Sequence, residues 1–474
     1  MRPRTCFVAL LLVVASLMGI TSSAEEEPLT MRCPSSGTPS DYACLEWRAP
    51  LGWGPWGLRI ADLSQDGTPE IVVSNLGSLR IYNGVTHAEL ENVTVGTHSD
   101  PWVRAVAIAD VDGDGRTEIV VGTHPYAGLY IFEWDGAGLA LEWDSTQLGA
   151  PWPGGVLGAS IEALEVADVD ADGTIEIVAL DIESGVYVLS PAGDSYAVER
   201  WQGFLSCRTC TALAVADVDG DPGLEVLTTG GEGLRVFDGA SLQLEWNIPG
   251  LPYGIDVGDL NGDGDPEVVV GTTTAWKIVD TGTRSVVAEV PGPFHNRPDV
   301  VVGDFDRDGT VEFGGVISQD AGTPGGYMEI FNGRTLEREW RSPNLWFGVW
   351  INDDMGAFRA FAGDADADGR VEVLVATYGG VYQFQIRGGG ESELASLRIP
   401  NEPPTLPRGD GTSPGTGGTS VVAGDAPRAI VTVRLAARTA DDSCLAGLAV
   451  MPCTPPPFHA TSVQPRTLKA WMIA

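Results

Sequence analysis

The stretch DVDGDGRTEIVV, residues 110–121, decides the fold. Aspartate stands at its first, third and fifth positions, glycine at the sixth and glutamate at the ninth, and a β-branched run follows. The pattern occurs seven times, and the copies begin at Asp62, Asp110, Asp168, Asp217, Asp259, Asp304 and Asp364. Their starts lie 42 to 60 residues apart, a spacing typical of the four-stranded blades of a propeller.

Each repeat contains four short β-rich runs bounded by Gly, Pro and Asp. One run precedes the acidic stretch and a second follows it. The third follows a glycine turn, as in Leu129–Phe132, and the fourth often ends in tryptophan, as in Leu141–Trp143. The sequence therefore predicts an all-β fold, a seven-bladed β-propeller of four-stranded blades over residues 45–387.

The seventh repeat has no fourth run after Ile386, whereas Leu45-Glu46-Trp47 stands alone before the first repeat. A ring of blades otherwise leaves one seam open to fraying. We therefore predict that this N-terminal run is the outer strand of the last blade and closes the ring.

The overall composition excludes one class of partner. The 474 residues include 65 Asp and Glu against 28 Lys and Arg, so the formal net charge is −37. Proteins that bind nucleic acids need basic surfaces to hold the phosphates, and this chain has too few basic residues to build one. We expect no nucleic-acid partner.

The N-terminus indicates export. Two arginines precede an apolar run from Phe7 to Ile20, and small residues ending at Ala24 follow, which is typical of a signal peptide over residues 1–24. No later run approaches the roughly 20 apolar residues of a membrane span. We expect a soluble, monomeric, secreted protein, periplasmic or at the cell surface if the host is bacterial. Asn92-Val93-Thr94 is a glycosylation sequon only in a eukaryotic host.

Six cysteines remain after residue 24, and they form three local pairs: Cys33/Cys44, Cys207/Cys210 and Cys444/Cys453. Local disulfides are the most economical of fifteen pairings in an oxidising compartment. Cys207 and Cys210 also have the spacing of a redox site or half a zinc site, but no second ligand pair accompanies them.

Segments outside the repeats differ in composition. Residues 25–44 form an N-terminal segment that contains the first cysteine pair. Residues 388–427 are rich in Gly, Pro, Ser and Thr and are interpreted as a flexible linker. Residues 428–474 hold too little apolar sequence for a core of their own and are interpreted as a weakly structured tail.

The seven acidic loops have the chemistry of calcium sites. Oxygens at positions 1, 3 and 5, a carbonyl at position 7 and a bidentate glutamate at position 9 suit the six to eight oxygen ligands of Ca²⁺. An EF-hand would need its glutamate at position 12 and a helix after it, so that class is excluded. The predicted ligands are Asp62, Ser64, Asp66, Thr68 and Glu70; Asp110, Asp112, Asp114, Arg116 and Glu118; Asp168, Asp170, Asp172, Thr174 and Glu176; Asp217, Asp219, Asp221, Gly223 and Glu225; Asp259, Asn261, Asp263, Asp265 and Glu267; Asp304, Asp306, Asp308, Thr310 and Glu312; and Asp364, Asp366, Asp368, Arg370 and Glu372.

These motifs at strand spacing resemble the FG-GAP, or VCBS-type, repeats of integrin alpha chains and of many secreted bacterial proteins. The resemblance covers about residues 45–387 and implies a seven-bladed propeller with calcium in some loops, used for adhesion and ligand recognition. Ser64, Asn261 and Pro222 depart from the full pattern in the first, fifth and fourth loops, and we expect the first and fourth to bind most weakly. Bound calcium, up to seven ions, is expected to be structural, with catalytic calcium as the alternative.

Aromatic residues recur in the connections between successive blades, on the face opposite the acidic loops. Such rings stack sugars or anchor peptides, but repeated aromatics also pack blades together, and the sequence leaves both interpretations open. The two longest connections, about 144–160 and 341–357, are the best candidates for a ligand site, and their candidate ligand-binding residues are Trp152, Trp346 and Trp350.

No catalytic motif of a known enzyme class accompanies the repeats, and His124 and His295 are the two histidines expected on the aromatic face. The sequence therefore favours a non-enzymatic module that recognises an extracellular protein or glycan. The alternative is a secreted enzyme that acts on polysaccharides and uses the aromatic face as its cleft.

Overall fold

The computed structural model describes residues 42–51, 56–96, 102–124, 128–134, 138–145, 161–181, 185–203, 212–221, 223–292, 298–320, 323–345, 359–377 and 380–388, and the backbone of six further short strands. The chain divides into two compact units, residues 1–402 and 403–474. Within the part that the structure describes, no helix has the length and apolar character needed to cross a membrane.

The first unit is a ring of seven antiparallel sheets, as the sequence predicts. Two strands precede the repeats, β1 (Leu29–Thr30) and β2 (Ala43–Ala49). Blades 1 to 6, each from its inner to its outer strand, are β3 (Leu58–Ala61), β4 (Glu70–Asn75), β5 (Ser78–Asn83), β6 (Glu89–Thr94); β7 (Trp102–Ala109), β8 (Glu118–His124), β9 (Leu129–Trp134), β10 (Leu139–Asp144); β11 (Ile161–Ala167), β12 (Glu176–Asp181), β13 (Gly185–Pro191), β14 (Tyr196–Gly203); β15 (Ala212–Ala216), β16 (Glu225–Thr229), β17 (Leu234–Asp238), β18 (Leu244–Ile248); β19 (Ile255–Gly258), β20 (Glu267–Gly271), β21 (Ala275–Asp280), β22 (Ser285–Pro291); and β23 (Asp299–Gly303), β24 (Glu312–Asp320), β25 (Thr323–Asn332), β26 (Arg338–Arg341).

The last blade confirms the predicted closure. It consists of β27 (Arg359–Gly363), β28 (Glu372–Thr377) and β29 (Gly380–Ile386), and β2 pairs antiparallel with β29 as its fourth strand. The register joins Leu45 to Phe384 and Trp47 to Gln383. Strand β1 pairs in turn with β2 at the outer edge. Both ends of the propeller therefore lie in one sheet.

The remaining strands are short. Strand β30 (Ser392–Glu393) pairs parallel with β26 and extends the sixth blade. In the second unit, β31 (Ser420–Val421) pairs with β32 (Val431–Thr432), and β33 (Cys444–Ala446) pairs with β34 (Ala449–Met451). The predicted boundaries of the linker and the tail stay predictions, as do the disulfides, because Cys33, Cys207, Cys210 and Cys453 lie outside the described residues.

The apolar core is divided among the seven interfaces between blades. Seven clusters of buried residues each draw on two neighbouring blades. Outer-strand tryptophans are the largest members of four clusters, and Trp47, Trp143 and Trp340 are at most 1% exposed. Trp47 meets the ring of Tyr82 in blade 1 edge-on, with centroids 5.0 Å apart. These fourth-strand tryptophans thus pack between blades, whereas Trp201 is 38% exposed.

Closure should account for a large part of the stability. Deleting residues 25–50 removes strand β2, and with it the Trp47 side chain that packs between the last and first blades. The single substitution Trp47→Ala should already lower the free energy of unfolding by about 3–5 kcal/mol. Thermal denaturation followed by circular dichroism should show a much larger loss for this deletion than for removal of residues 403–474. Equal losses for the two deletions would contradict the role assigned to β2.

Candidate metal sites and the central channel

Each acidic loop joins the first and second strands of its blade and turns through left-handed residues. Position 4 has a positive φ in all seven loops, and so does the glycine at position 6 in the six loops where it occurs. In the second loop, Gly113 and Gly115 have φ values of 77° and 93°. Ala171 and Ala367 adopt φ values near 58° at position 4 without the freedom of glycine, which shows how firmly the loop imposes this turn.

In each loop, aspartate carboxylates accept hydrogen bonds from backbone N–H groups of the same loop. In the second loop, Gly115 N donates to Asp110 Oδ2 at 3.0 Å, and Arg116 N donates to Asp114 Oδ1 at 2.8 Å. The bond from the N–H of position 7 to the aspartate of position 5 occurs in all seven loops, at 2.7 to 3.0 Å. Proline at position 222 lacks the N–H that the glycine of other loops donates to the first aspartate. Gly220 N still donates to Asp217 Oδ1 at 2.7 Å, as Gly113 and Gly262 do to the first aspartates of their loops.

The glutamate at position 9 lies buried at the base of every loop. Its Oε2 accepts the N–H of position 2 at 2.7 to 2.9 Å in all seven blades. None of the seven is more than 3% exposed. Burial raises the pKa of all seven glutamates and is the largest cause in each. The pKa is about 7 in Glu176 and Glu225, about 8 in Glu118 and Glu312 and about 9 in Glu372. The pKa values of Glu70 and Glu267 are raised as well. The seven buried carboxyls thus have little solvent to stabilise a negative charge.

Five loops bring their carboxylates together with ligand oxygens within 4.8 Å of one another. The clusters are Asp110, Asp112 and Glu118; Asp168, Asp170 and Glu176; Asp217, Asp219 and Glu225; Asp304, Asp306, Asp308 and Glu312; and Asp364, Asp366 and Glu372. These are the five loops with a full acidic set, and the fourth is among them despite its proline. The aspartate at position 5 belongs to the cluster only in the sixth loop, where it is Asp308. The predicted ligand roles of the other position-5 aspartates and of the position-7 carbonyls stay predictions.

The donor set fits a hard divalent cation. The Oε1 atoms of Glu312 and Glu372 and the Oδ1 atoms of Asp304 and Asp364 are buried and have no hydrogen-bond partner in the structure. Both glutamates are fully buried. Unpaired carboxylate oxygens in such positions are costly unless a cation joins them, and an all-oxygen set is what Ca²⁺ prefers.

The first and fifth loops are built differently. Asn261 Nδ2 donates to Glu267 Oε1 at 2.7 Å, so an amide hydrogen takes up the oxygen that the sixth and seventh loops leave unpaired. In the first loop Ser64 replaces the aspartate at position 3, and its N–H also donates to Glu70 Oε2, at 3.3 Å. Neither loop is among the five acidic clusters found in the described residues.

Outer-strand glutamates stand near four of the five clusters. After burial and the aspartate at position 3, Glu142 is the next largest cause that raises the pKa of Glu118. Glu245, Glu339 and Glu46 act in the same direction on the buried glutamates of blades 4, 6 and 7. The Leu-Glu-Trp runs predict only strands, and their glutamates are not among the predicted ligands. Their recurrence before an outer-strand tryptophan was the available signal.

A channel with a volume of about 290 Å³ is lined by the inner strands of all seven blades. Three arginines cross it to carboxylates on other blades: Arg59 to Glu165 at 3.3 Å, Arg104 to Glu162 at 3.6 Å and Arg359 to Asp299 at 3.3 Å. Two aspartates also join neighbouring inner strands, because Asp256 accepts Val302 N at 2.7 Å and Asp299 accepts Ala360 N at 3.0 Å. The sequence pattern does not predict this polar lining, since these residues lie within otherwise apolar strands.

Aromatic rings stand at one end of the channel, where the inner strands begin. Trp56 and Trp102 stack with centroids 5.5 Å apart, and the Arg104 guanidinium lies 4.4 Å from the Trp56 ring centroid. The His124 ring is 5.7 Å from Trp102. Trp56 is only 6% exposed, which supports packing at that position. The ligand-binding candidates Trp152, Trp346 and Trp350 lie outside the described residues, as does His295, and stay predictions.

Two protein-family models match parts of the repeat region. A model of the FG-GAP-like repeat matches residues 62–121 and 110–179, and a model of the FG-GAP repeat matches residues 251–286. The chain is a seven-bladed propeller that contains FG-GAP and FG-GAP-like repeats. No curated protein sequence matches this FG-GAP propeller significantly.

Solved structures resemble the FG-GAP propeller at low sequence identity. A chain of the crystal structure of BBS1N in complex with ARL6DN, soaked with lead, is 14% identical with a TM-score of 0.52, over 72% of this chain and 94% of that one. The V. cholerae biofilm matrix protein Bap1 is 18% identical with a TM-score of 0.38, over 56% and 48% of the two chains. The Bacillus licheniformis rhamnogalacturonan lyase PL11 is 15% identical with a TM-score of 0.43, over 73% and 62%. The first similarity supports the fold alone.

Asp256 should make the stability of the propeller depend on pH. Burial in the channel wall raises its pKa to about 7, so the folded state holds a proton that the unfolded state has lost between about pH 4 and pH 7. Stability from this group is therefore lost as the pH rises through that window. Asp256→Asn should gain stability relative to the wild type between pH 5 and pH 8, by about 1 kcal/mol after allowance for water in the channel.

Urea denaturation at both pH values measures this difference. The exposed Asp194→Asn variant is the control, and its stability relative to the wild type should change little with pH. A difference for Asp256→Asn that stays constant from pH 5 to pH 8 would contradict the assignment.

Proposed function

We propose that this chain is a secreted β-propeller in which calcium, held by the acidic loops, stabilises a scaffold that recognises an extracellular protein or glycan without catalysing a reaction. One observation carries the calcium part of the proposal. The Oε1 atoms of Glu312 and Glu372 are fully buried within clusters of carboxylates and have no hydrogen-bond partner. A divalent cation at these points supplies the missing partner and offsets the repulsion among the carboxylates.

Calcium would act mainly on stability. Each loop lies between the inner two strands of its blade, far along the chain from any other loop, so an ion there ties together two strands of one sheet. Free calcium at ten times the dissociation constant adds roughly 1.4 kcal/mol per site. Several filled sites would thus approach the whole stability of a typical domain, which is about 5–15 kcal/mol.

Recognition is the role that the rest of the scaffold supports. The connections between blades emerge on one face of a rigid ring, an arrangement in which loops commonly carry binding residues. The stacked pair of Trp56 and Trp102 beside Arg104 gives this face an aromatic and charged character. The predicted export signal and the excess of acidic residues are consistent with an extracellular partner.

A polysaccharide-active enzyme is the second candidate. His124 beside Trp102, and Arg104 paired with Glu162, bring an imidazole and a carboxylate to the same end of the channel. Incubation of the protein with a panel of polysaccharides, followed by reducing-end and unsaturated-sugar assays, separates the two candidates. Turnover that is lost in His124→Ala would favour the enzyme.

Removal of calcium should lower the melting temperature substantially, because the empty loops hold close carboxylates that repel one another. Native mass spectrometry of the calcium-loaded protein should count between four and seven bound ions. Magnesium at the same concentration is the control and should restore little of the lost stability, since it is reluctant to lose its water ligands. A melting curve that EDTA leaves unchanged would contradict structural calcium.

The ligand site is expected on the aromatic face, centred on residues 144–160 and 341–357. Replacing Trp346 and Trp350 with alanine should remove about 2 kcal/mol or more of binding free energy and leave the melting temperature unchanged, as loss of an interface hot spot does. Glycan and protein arrays probed with and without calcium identify the ligand, and calorimetry then measures the variants. Trp56→Ala is the matched control and should lower stability instead, because this ring is buried.

A further inference from the structure

Every outer strand carries a β-bulge at the same place. In each blade two residues of the outer strand stand opposite one residue of the third strand, so that one residue is left over from the pairing. A bulge of this kind turns one side chain away from the regular alternation. The extra residues in blades 1 to 7 are Leu90, Glu142, Glu199, Glu245, Val287, Glu339 and Glu46.

The residue type at the bulge correlates with the number of carboxylates in the acidic loop of the same blade. All five blades whose loops form carboxylate clusters have glutamate at the bulge, whereas the first and fifth blades have Leu90 and Val287. Those two side chains are 41% and 56% exposed. Because these two residues are apolar and yet exposed, burial does not explain why their bulges lack glutamate.

A further carboxylate beside an acidic loop is stabilising when a cation is bound there. Without one it adds to the repulsion among the aspartates and the buried glutamate. Glu339 is nevertheless held in place, since Tyr42 Oη and Asn332 Nδ2 donate to its two oxygens, each at 2.9 Å. Gln383 Nε2 likewise donates to Glu46 at 3.1 Å in the last blade.

The third blade differs in the next residue along the strand. There Glu199 accepts a hydrogen bond from Ser190 and also lies 3.5 Å from the Arg200 guanidinium. Arg200 instead donates to Asp170 Oδ2 at 2.6 Å, and both side chains are 15% exposed. A guanidinium thus already neutralises one of the carboxylates that would bind the ion.

We propose that the outer-strand bulge sets the calcium affinity of each blade, an inference that rests on the calcium binding proposed above. Glutamate at the bulge adds a carboxylate outside the ligands of the loop and makes blades 2, 4, 6 and 7 the high-affinity sites. Arg200 competes with the ion and makes blade 3 a weak site. Leu90 and Val287, together with Ser64 and Asn261, make blades 1 and 5 the weakest sites.

Glu142→Gln and Glu245→Gln test the inference best, because both side chains are exposed and their replacement should leave the fold intact. Native mass spectrometry of the full chain, at a buffered free calcium concentration that just saturates the wild type, should show one ion fewer for each variant and two fewer for the double variant. Loss of one negative charge near a divalent ion should weaken the affected site roughly tenfold. Melting temperatures in EDTA should match that of the wild type, which separates loss of calcium from loss of fold.

Glu199→Gln is the matched control, since it removes the same charge from the same strand position and should keep every ion. Arg200→Gln should let blade 3 fill at a lower free calcium concentration. Variants of Glu142 and Glu245 that keep all their ions, or an equal loss in Glu199→Gln, would overturn the inference while the proposed function stands. A wild-type chain that binds no calcium would overturn both.

Discussion

The bond from the backbone of position 2 to a buried glutamate recurs in all seven blades, and much of the structure depends on it. The bond fixes the point where the first strand leaves the sheet and the second strand enters it. It also places a carboxylate where little water reaches it. The glutamate is therefore both a backbone anchor and the oxygen donor beneath each loop, so the same residue that shapes the turn creates the demand for a cation.

That demand differs among blades because the remaining oxygens of the glutamate meet different partners. In the fifth blade Asn261 satisfies the second oxygen internally, at the cost of a ligand position. In the sixth and seventh blades the second oxygen has no protein partner. A repeat protein with nearly identical folds in each unit can thus contain both metal-dependent and metal-independent blades, and the ring tolerates the mixture because each interface is packed separately.

The strands and their closure were predictable because they depend on local patterns. β-branched runs, glycine turns and the isolated Leu45-Glu46-Trp47 identified the blades, and the spacing of the aspartates identified the loops. The polar channel was not predictable, because Glu162, Asp256 and Arg359 lie in strands whose sequences are mostly apolar. In addition, no pattern in a single sequence indicates which side chains of an inner strand face the propeller axis. The bulges were missed for a related reason: Leu-Glu-Trp fits regular alternation, and only the paired register reveals the extra residue.

The channel explains how seven inner strands share an axis without pairing to one another. Carboxylates reach from one strand to the backbone of the next, as Asp256 does to Val302, and arginines span the space to acids on other blades. These contacts replace the ladder hydrogen bonds that the inner edges lack. The backbone N–H groups of Val257 and Val302 donate to the two oxygens of Asp256 and lower its pKa, but burial in the channel wall outweighs both bonds, so the pKa is raised. The inner edge of the propeller is therefore held by side chains, whereas its outer strands are held by ladder pairing and by tryptophans packed between blades.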